Sequence, residues 1–123
     1  MATMSSFNST PRLLVLATVA CGLLAPAAAQ ERMVVRADDA KRRTCPSEQC
    51  GIVGRFFSGE SVPVFERADG WSRVSLYYTA GCHDGRSSFV EVGHDECTKA
   101  NGIVQGEFAE WVKSAFLAAE AGS

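Results

Sequence analysis

The chain has 123 residues, enough for one domain and too few for two. Its 12 basic and 14 acidic residues leave a net charge of −2 with no basic stripe, which excludes a nucleic-acid footprint. The charge balance points to no reaction.

The first thirty residues read as a leader. Arg12 is the only charged residue before a run from Leu13 to Leu24 that is apolar apart from Thr18. Pro26 breaks the run, and Ala27-Ala28-Ala29-Gln30 supplies the small residues of a signal-peptidase site. The apolar stretch is too short for a stable membrane span. The expectation is a signal peptide over residues 1–29, a single domain over residues 30–123, and no membrane span after cleavage. A buried N-terminal helix fits poorly with Pro26 and the alanine tail. A lipoprotein signal with Cys21 as the lipidated residue is the other alternative. Thr18 and the apolar residues after Cys21 fit it weakly.

Cleavage lowers five cysteines to four: Cys45, Cys50, Cys82 and Cys97. An even number in a short exported chain predicts a disulfide framework. Of the three possible connectivities, the expected one is Cys45–Cys50 with Cys82–Cys97. Cys45-Pro46-Ser47-Glu48-Gln49-Cys50 would make a small local clamp, with Pro46 pre-setting its turn.

After the leader, Met33 to Arg36 is a β-favouring run. Ala40 to Thr44 is charged and without period, so loop and exposed strand both stand. Arg36, Lys41, Arg42 and Arg43 form a local basic cluster interrupted by Asp38 and Asp39. It reads as a solvated face, with an anionic-ligand patch as the alternative. Gly51 to Phe57 is a strand in which Gly54 marks a bulge or a close backbone approach. Ser61 to Arg67 puts Val62 and Val64 on one face, and Pro63 makes it an edge strand. Asp69-Gly70 is the strongest turn signal, because both residues accept the positive φ of a tight hairpin. Trp71 to Leu76 returns as a strand.

The stretch from Tyr77 to Glu107 holds five glycines between Gly81 and Gly106, with Cys82 and Cys97 within it. It reads as a long excursion pinned by a disulfide, with Phe89 to Val92 as its one strand-like piece. So long an irregular segment is uncommon unless functional or cross-linked. At the end, Phe108, Trp111, Val112, Ala115, Phe116 and Ala119 share one helical face, while Phe108 to Val112 also alternates as a strand does. Helix and strand both remain open on periodicity.

The order of these motifs resembles a bacterial Src-homology-3-like (SH3-like) domain of exported, wall-associated proteins. The matching residues are Thr44-Cys45-Pro46-Ser47, Cys50 to Gly54, Val62-Pro63-Val64, Asp69 to Val74, and Glu110-Trp111-Val112 through Phe116-Leu117. The chain departs from the family pattern at Ala40 and Arg42, where apolar residues are expected, and at Glu110, where glycine is expected. The resemblance implies an all-β fold, a small SH3-like β-barrel with the excursion before its last strands. It also implies that Phe108 to Val112 is a strand, followed by a turn at Lys113 to Ala115 and a last β segment. It further implies a partner in the cell envelope, either peptidoglycan or an exported protein.

Chemistry-bearing residues are few. Cys82-His83 and His94 to Cys97 invite a zinc site, but adjacent Cys82 and His83 would strain a tetrahedral centre and an oxidising compartment favours a disulfide. Ser87 and Ser88 near His83, or Asp95 beside Glu96, lack the frame of a hydrolase. Trp71, Tyr77, Tyr78, Phe89 and Trp111 are the better lead, as aromatics from separate elements that a small barrel brings together. The competing reading is that both tryptophans fill the core. The expectation is a periplasmic or secreted binding module with no catalytic residues, no metal and no cofactor. The rivals are an inhibitor that plugs a periplasmic hydrolase with the pinned loop, and a small metal-dependent enzyme using residues 82–97.

Overall fold

A computed structural model describes residues 31–120; the leader and the Cys21 alternative lie outside them. The described residues form short β-strands and two 3₁₀ turns, with no α-helix. None of their helices is long and apolar enough to cross a membrane.

Two sheets make the scaffold. In the smaller, β1 (Glu31–Val35) lies between β4 (Ser61–Val64) and β12 (Leu117–Ala119), antiparallel to both. The larger has the order β3 (Ile52–Phe56), β2 (Ala40–Arg43), β11 (Trp111–Lys113), β6 (Trp71–Arg73), β5 (Glu66–Ala68). Phe65 alone separates β4 from β5, so the chain passes there from one sheet into the other. The ladders stay separate and do not join into the closed barrel that was expected.

Local sequence explains the joins. Asp69 and Gly70 both have positive φ, the requirement of a two-residue hairpin between β5 and β6. Pro63 sits on β4, at the edge of its sheet, where a missing N–H costs no ladder bond. The β2–β3 hairpin is closed by the Cys45–Cys50 disulfide, and Thr44 donates to the Gly51 carbonyl at 3.0 Å. The second disulfide joins Cys82 to Cys97, so both expected pairings are present. Ala40 to Arg43 is a strand rather than a loop. The C-terminal segment is strand, 3₁₀ turn (Ser114–Phe116) and strand, not a helix.

The sheets enclose a first core of Val35, Ala40, Val62, Val64, Val74 and Val112. The excursion has a second one, where Val53 from the scaffold meets Ala80, Ile103 and Phe108. Around it run β7 (Tyr78–Thr79) paired with β10 (Glu107–Phe108), and β8 (Cys82–His83) paired with β9 (Arg86–Ser87). Phe89 to Val92 is not a strand: only Val92 bridges, to Ile52, while Val90 packs on the second core beside a partly exposed Phe89. Its ring meets Tyr78 edge-on at 5.6 Å, and Tyr78 lies 4.7 Å from Phe108. Of the apolar residues in that segment Val90 alone packs on the core, while Phe89 and Val92 remain exposed.

Phe108 is fully buried at the centre of the second core. Phe108→Ala should therefore cost about 3–5 kcal/mol. Urea unfolding checks this; a loss under about 1 kcal/mol would mean the excursion contributes little to the cooperative fold.

Candidate functional site

Between scaffold and excursion lies a groove of about 370 Å³. One wall is Cys45 and Pro46 on the disulfide-closed turn, and the other is Val104 and Glu107 on the returning limb of the excursion. Trp111 and Tyr77 lie between them. Tyr77 is 54% exposed, yet it is braced: the Arg73 guanidinium stacks 5.0 Å from its ring and 5.3 Å from Phe65. Arg73 is itself held by Glu66 at 2.9 Å and by the Ser75 carbonyl at 2.8 Å. The Glu107 carboxylate has no hydrogen-bond or ion-pair partner among the described residues.

The groove keeps its width because the excursion is tied to the scaffold through Asn101. Its buried amide oxygen accepts from the Gly51 N–H at 2.9 Å and from the Thr44 hydroxyl at 3.2 Å. Its amide nitrogen donates to the carbonyls of His94 and Glu96 at 2.9 and 3.0 Å. All four hydrogen-bonding positions of the side chain are used. Gly102 follows at φ 79°, packed so closely on the Thr44 carbonyl that no side chain would fit. A buried asparagine among turn residues gives no sequence signal of this role.

A second depression, of about 230 Å³, lies on the same sheet face beyond the Cys45–Cys50 turn. Trp71 and Phe116 give it apolar surface, and Lys41, Arg43 and Lys113 give it cations. Lys41 donates to Asp39 at 2.9 Å and Lys113 pairs with Glu48. These lysine bonds hold both carboxyl groups below their usual range. Among the described residues Arg43 forms no ion pair with a carboxylate; it is fixed by the carbonyls of Glu48 and Cys50 at 3.0 and 2.8 Å.

The five aromatics expected to converge do not. Trp71 and Trp111 are 9% and 6% exposed and line different depressions, so neither is an open platform. Tyr78 packs on the second core, and Phe89, 43% exposed, sits edge-on against Tyr78 and lines neither depression. Only Tyr77 and Trp111 share a groove. Of the residues weighed for metal, Cys82 and Cys97 are joined to each other, His83 lies on β8, and His94 is 3.5 Å from Glu96. Among the described residues no three His, Cys, Asp or Glu side chains gather as a metal site.

Between the two cores is a polar cluster that the sequence did not reveal. Arg42 donates to Glu110 at 2.7 Å, and the Tyr78 hydroxyl donates to the other Glu110 oxygen at 2.5 Å. Arg42 and Glu110 are two of the three positions at which the chain departs from the SH3-like pattern, and here they are partners. Gly54 lies directly under the Arg42 guanidinium, which leaves no room for a side chain, and β2 carries a bulge at Arg42/Arg43. The glycine therefore marks a close approach, and the register irregularity lies beside it. The chain matches no protein-family model, no curated protein and no solved structure.

Burial, reinforced by the hydrogen bond to the Glu110 carboxylate, pushes the Tyr78 phenol well above its ordinary value of 10.0. A raised folded-state pKa contributes stability that is complete below pH 10 and is lost as pH climbs above it. Wild type should thus lose stability from pH 10 upward more steeply than Tyr78→Phe. Equal slopes in denaturant titrations between about pH 9 and 11 would refute the coupling. Gly54→Ala should displace Arg42 and destabilise by about 1–3 kcal/mol, read as a lowered urea midpoint. An unchanged midpoint would show that the guanidinium can move without cost.

Proposed function

We propose that the protein is an exported, non-catalytic binding module of the cell envelope, and that the Tyr77–Trp111 groove takes an extended segment of its partner. The observation that carries this is Tyr77 itself. A large aromatic side chain stands more than half in solvent, stacked on one face by Arg73 and bordering a groove with Trp111. Such a ring offers contact area at little further entropic cost, which is what binding residues need. Val104 and Leu76 are also more than half exposed, which adds apolar surface around it. The volume falls within the range of small-ligand and side-chain pockets.

Export is supported by two disulfides, which persist in oxidising compartments. The SH3-like reading is supported by the order of strands and turns, and it gives the choice of partners: a protein of the envelope or peptidoglycan. The inhibitor reading, with the excursion as a plug, gains little. The excursion is anchored by its own core and by Asn101, and its tip is not an extended apolar loop.

Two assays separate these. The mature protein should co-sediment with purified peptidoglycan sacculi, or else cross-link to an envelope protein through a photo-reactive residue at position 104. Tyr77→Ala should weaken whichever binding is found by about tenfold or more, with its circular dichroism and melting temperature unchanged. A folded Tyr77→Ala variant that binds as wild type does would remove the groove from the binding site.

A further inference from the structure

The depression beyond the Cys45–Cys50 turn differs chemically from the Tyr77–Trp111 groove. Its polar contribution is mostly donors. Lys41, Arg43 and Lys113 outnumber Asp39 and Glu48, in a chain whose net charge is negative. Each lysine has three N–H bonds and gives one to its carboxylate, so each retains donors. Arg43 uses only Nη1 on the two backbone carbonyls, and those bonds hold the rest of its guanidinium in place.

Trp71 adds a second, independent sign. Most of the residue is buried, but its indole N–H, which makes no hydrogen bond with any described residue, is not sealed from solvent. The residue lines the depression, so this open N–H is a donor that a ligand there can reach. Phe116, with the Lys113 ammonium 5.9 Å from its ring, provides the apolar contact on the other side.

We infer that this depression is a binding site for a small carboxylate carrying an apolar substituent. The carboxylate takes donors from Arg43, Lys113 and the Trp71 indole, while the substituent packs on Trp71 and Phe116. Two sources present that chemistry: the C-terminal residue of a peptide and a free aliphatic acid. The inference does not rest on the Tyr77–Trp111 groove.

The test uses ¹⁵N-labelled mature protein and follows the indole N–H signals of Trp71 and Trp111, assigned with Trp111→Phe. The probes are N-acetylleucine, isovalerate and the uncharged N-acetylleucinamide. N-acetylleucine should shift the Trp71 signal saturably with a Kd in about the millimolar range, as expected for so few heavy atoms. The Trp111 signal should stay in place, and the amide should bind about tenfold more weakly or not at all. N-acetylleucine binding tighter than isovalerate assigns a peptide terminus, and equal binding assigns a free acid. Lys113→Gln should weaken binding about tenfold; Arg43→Gln should do the same, and if it fails to fold the lysine variant still decides. The inference is overturned if the amide binds as well as the acid, if only Trp111 responds, or if no probe saturates by about 50 mM.

Discussion

The ion pair between Arg42 and Glu110 is the constraint on which the rest of the architecture depends. It lies where two cores meet, and each partner is also bound to one of them. Arg42 stacks over Phe56, which packs on the first core, and Glu110 takes the hydroxyl of Tyr78, which packs on the second. A partly buried charge is tolerable only when its partner is fixed in position. That condition accounts for the glycine under the guanidinium and fixes the register of β11 against β2. One Arg42 nitrogen, Nε, remains buried without a partner, so the arrangement is not fully satisfied even so. The pair therefore reads as a device that fixes two units relative to each other, more than as a source of net stability.

From that seam the division of labour follows. The scaffold sheets present one outer face on which Arg43 and Arg73 flank Trp111, and Trp71 lies beside Lys113. The Cys45–Cys50 turn rises from this face and separates it into two depressions. Cys45 and Pro46 border one and Glu48 borders the other. The excursion forms the far wall of the first depression only, held there by Asn101. Neither depression would exist on the bare sheet, so a disulfide-closed turn and a tied insertion shape the surface that the scaffold supports.

Much of the scaffold was legible because its signals are local. Asp69-Gly70 demands a turn, Pro63 demands an edge, and four cysteines at these spacings favour the observed pairs. The C-terminal segment was harder. β11 is central in its sheet and covered on both faces, with Trp111 and Val112 both buried, so the alternation that marks a half-exposed strand is blurred. Arg42 and Glu110 looked like misfits because a buried charge makes sense only beside a partner 68 positions away. The aromatics were visible as residue types. Which of them face outward depends on a second core that no short window of sequence reveals, and Tyr78 differs from Tyr77 by one position and by its whole environment.

The pairing of β1 with β12 bears on the order in which the fold can be completed. Met33 lies opposite Ala119 and Val35 opposite Leu117, so the first described strand finds one of its two neighbours at the far end of the chain. A chain that is made or threaded across a membrane from its N-terminus cannot complete the small sheet until its last strand has emerged. Contacts of such sequence separation are slow to form. Until then β1 can pair only with β4, which leaves one strand edge unpaired and open to other chains. The two disulfides, which close short loops within the chain, can form before that step and limit how far the rest of it strays.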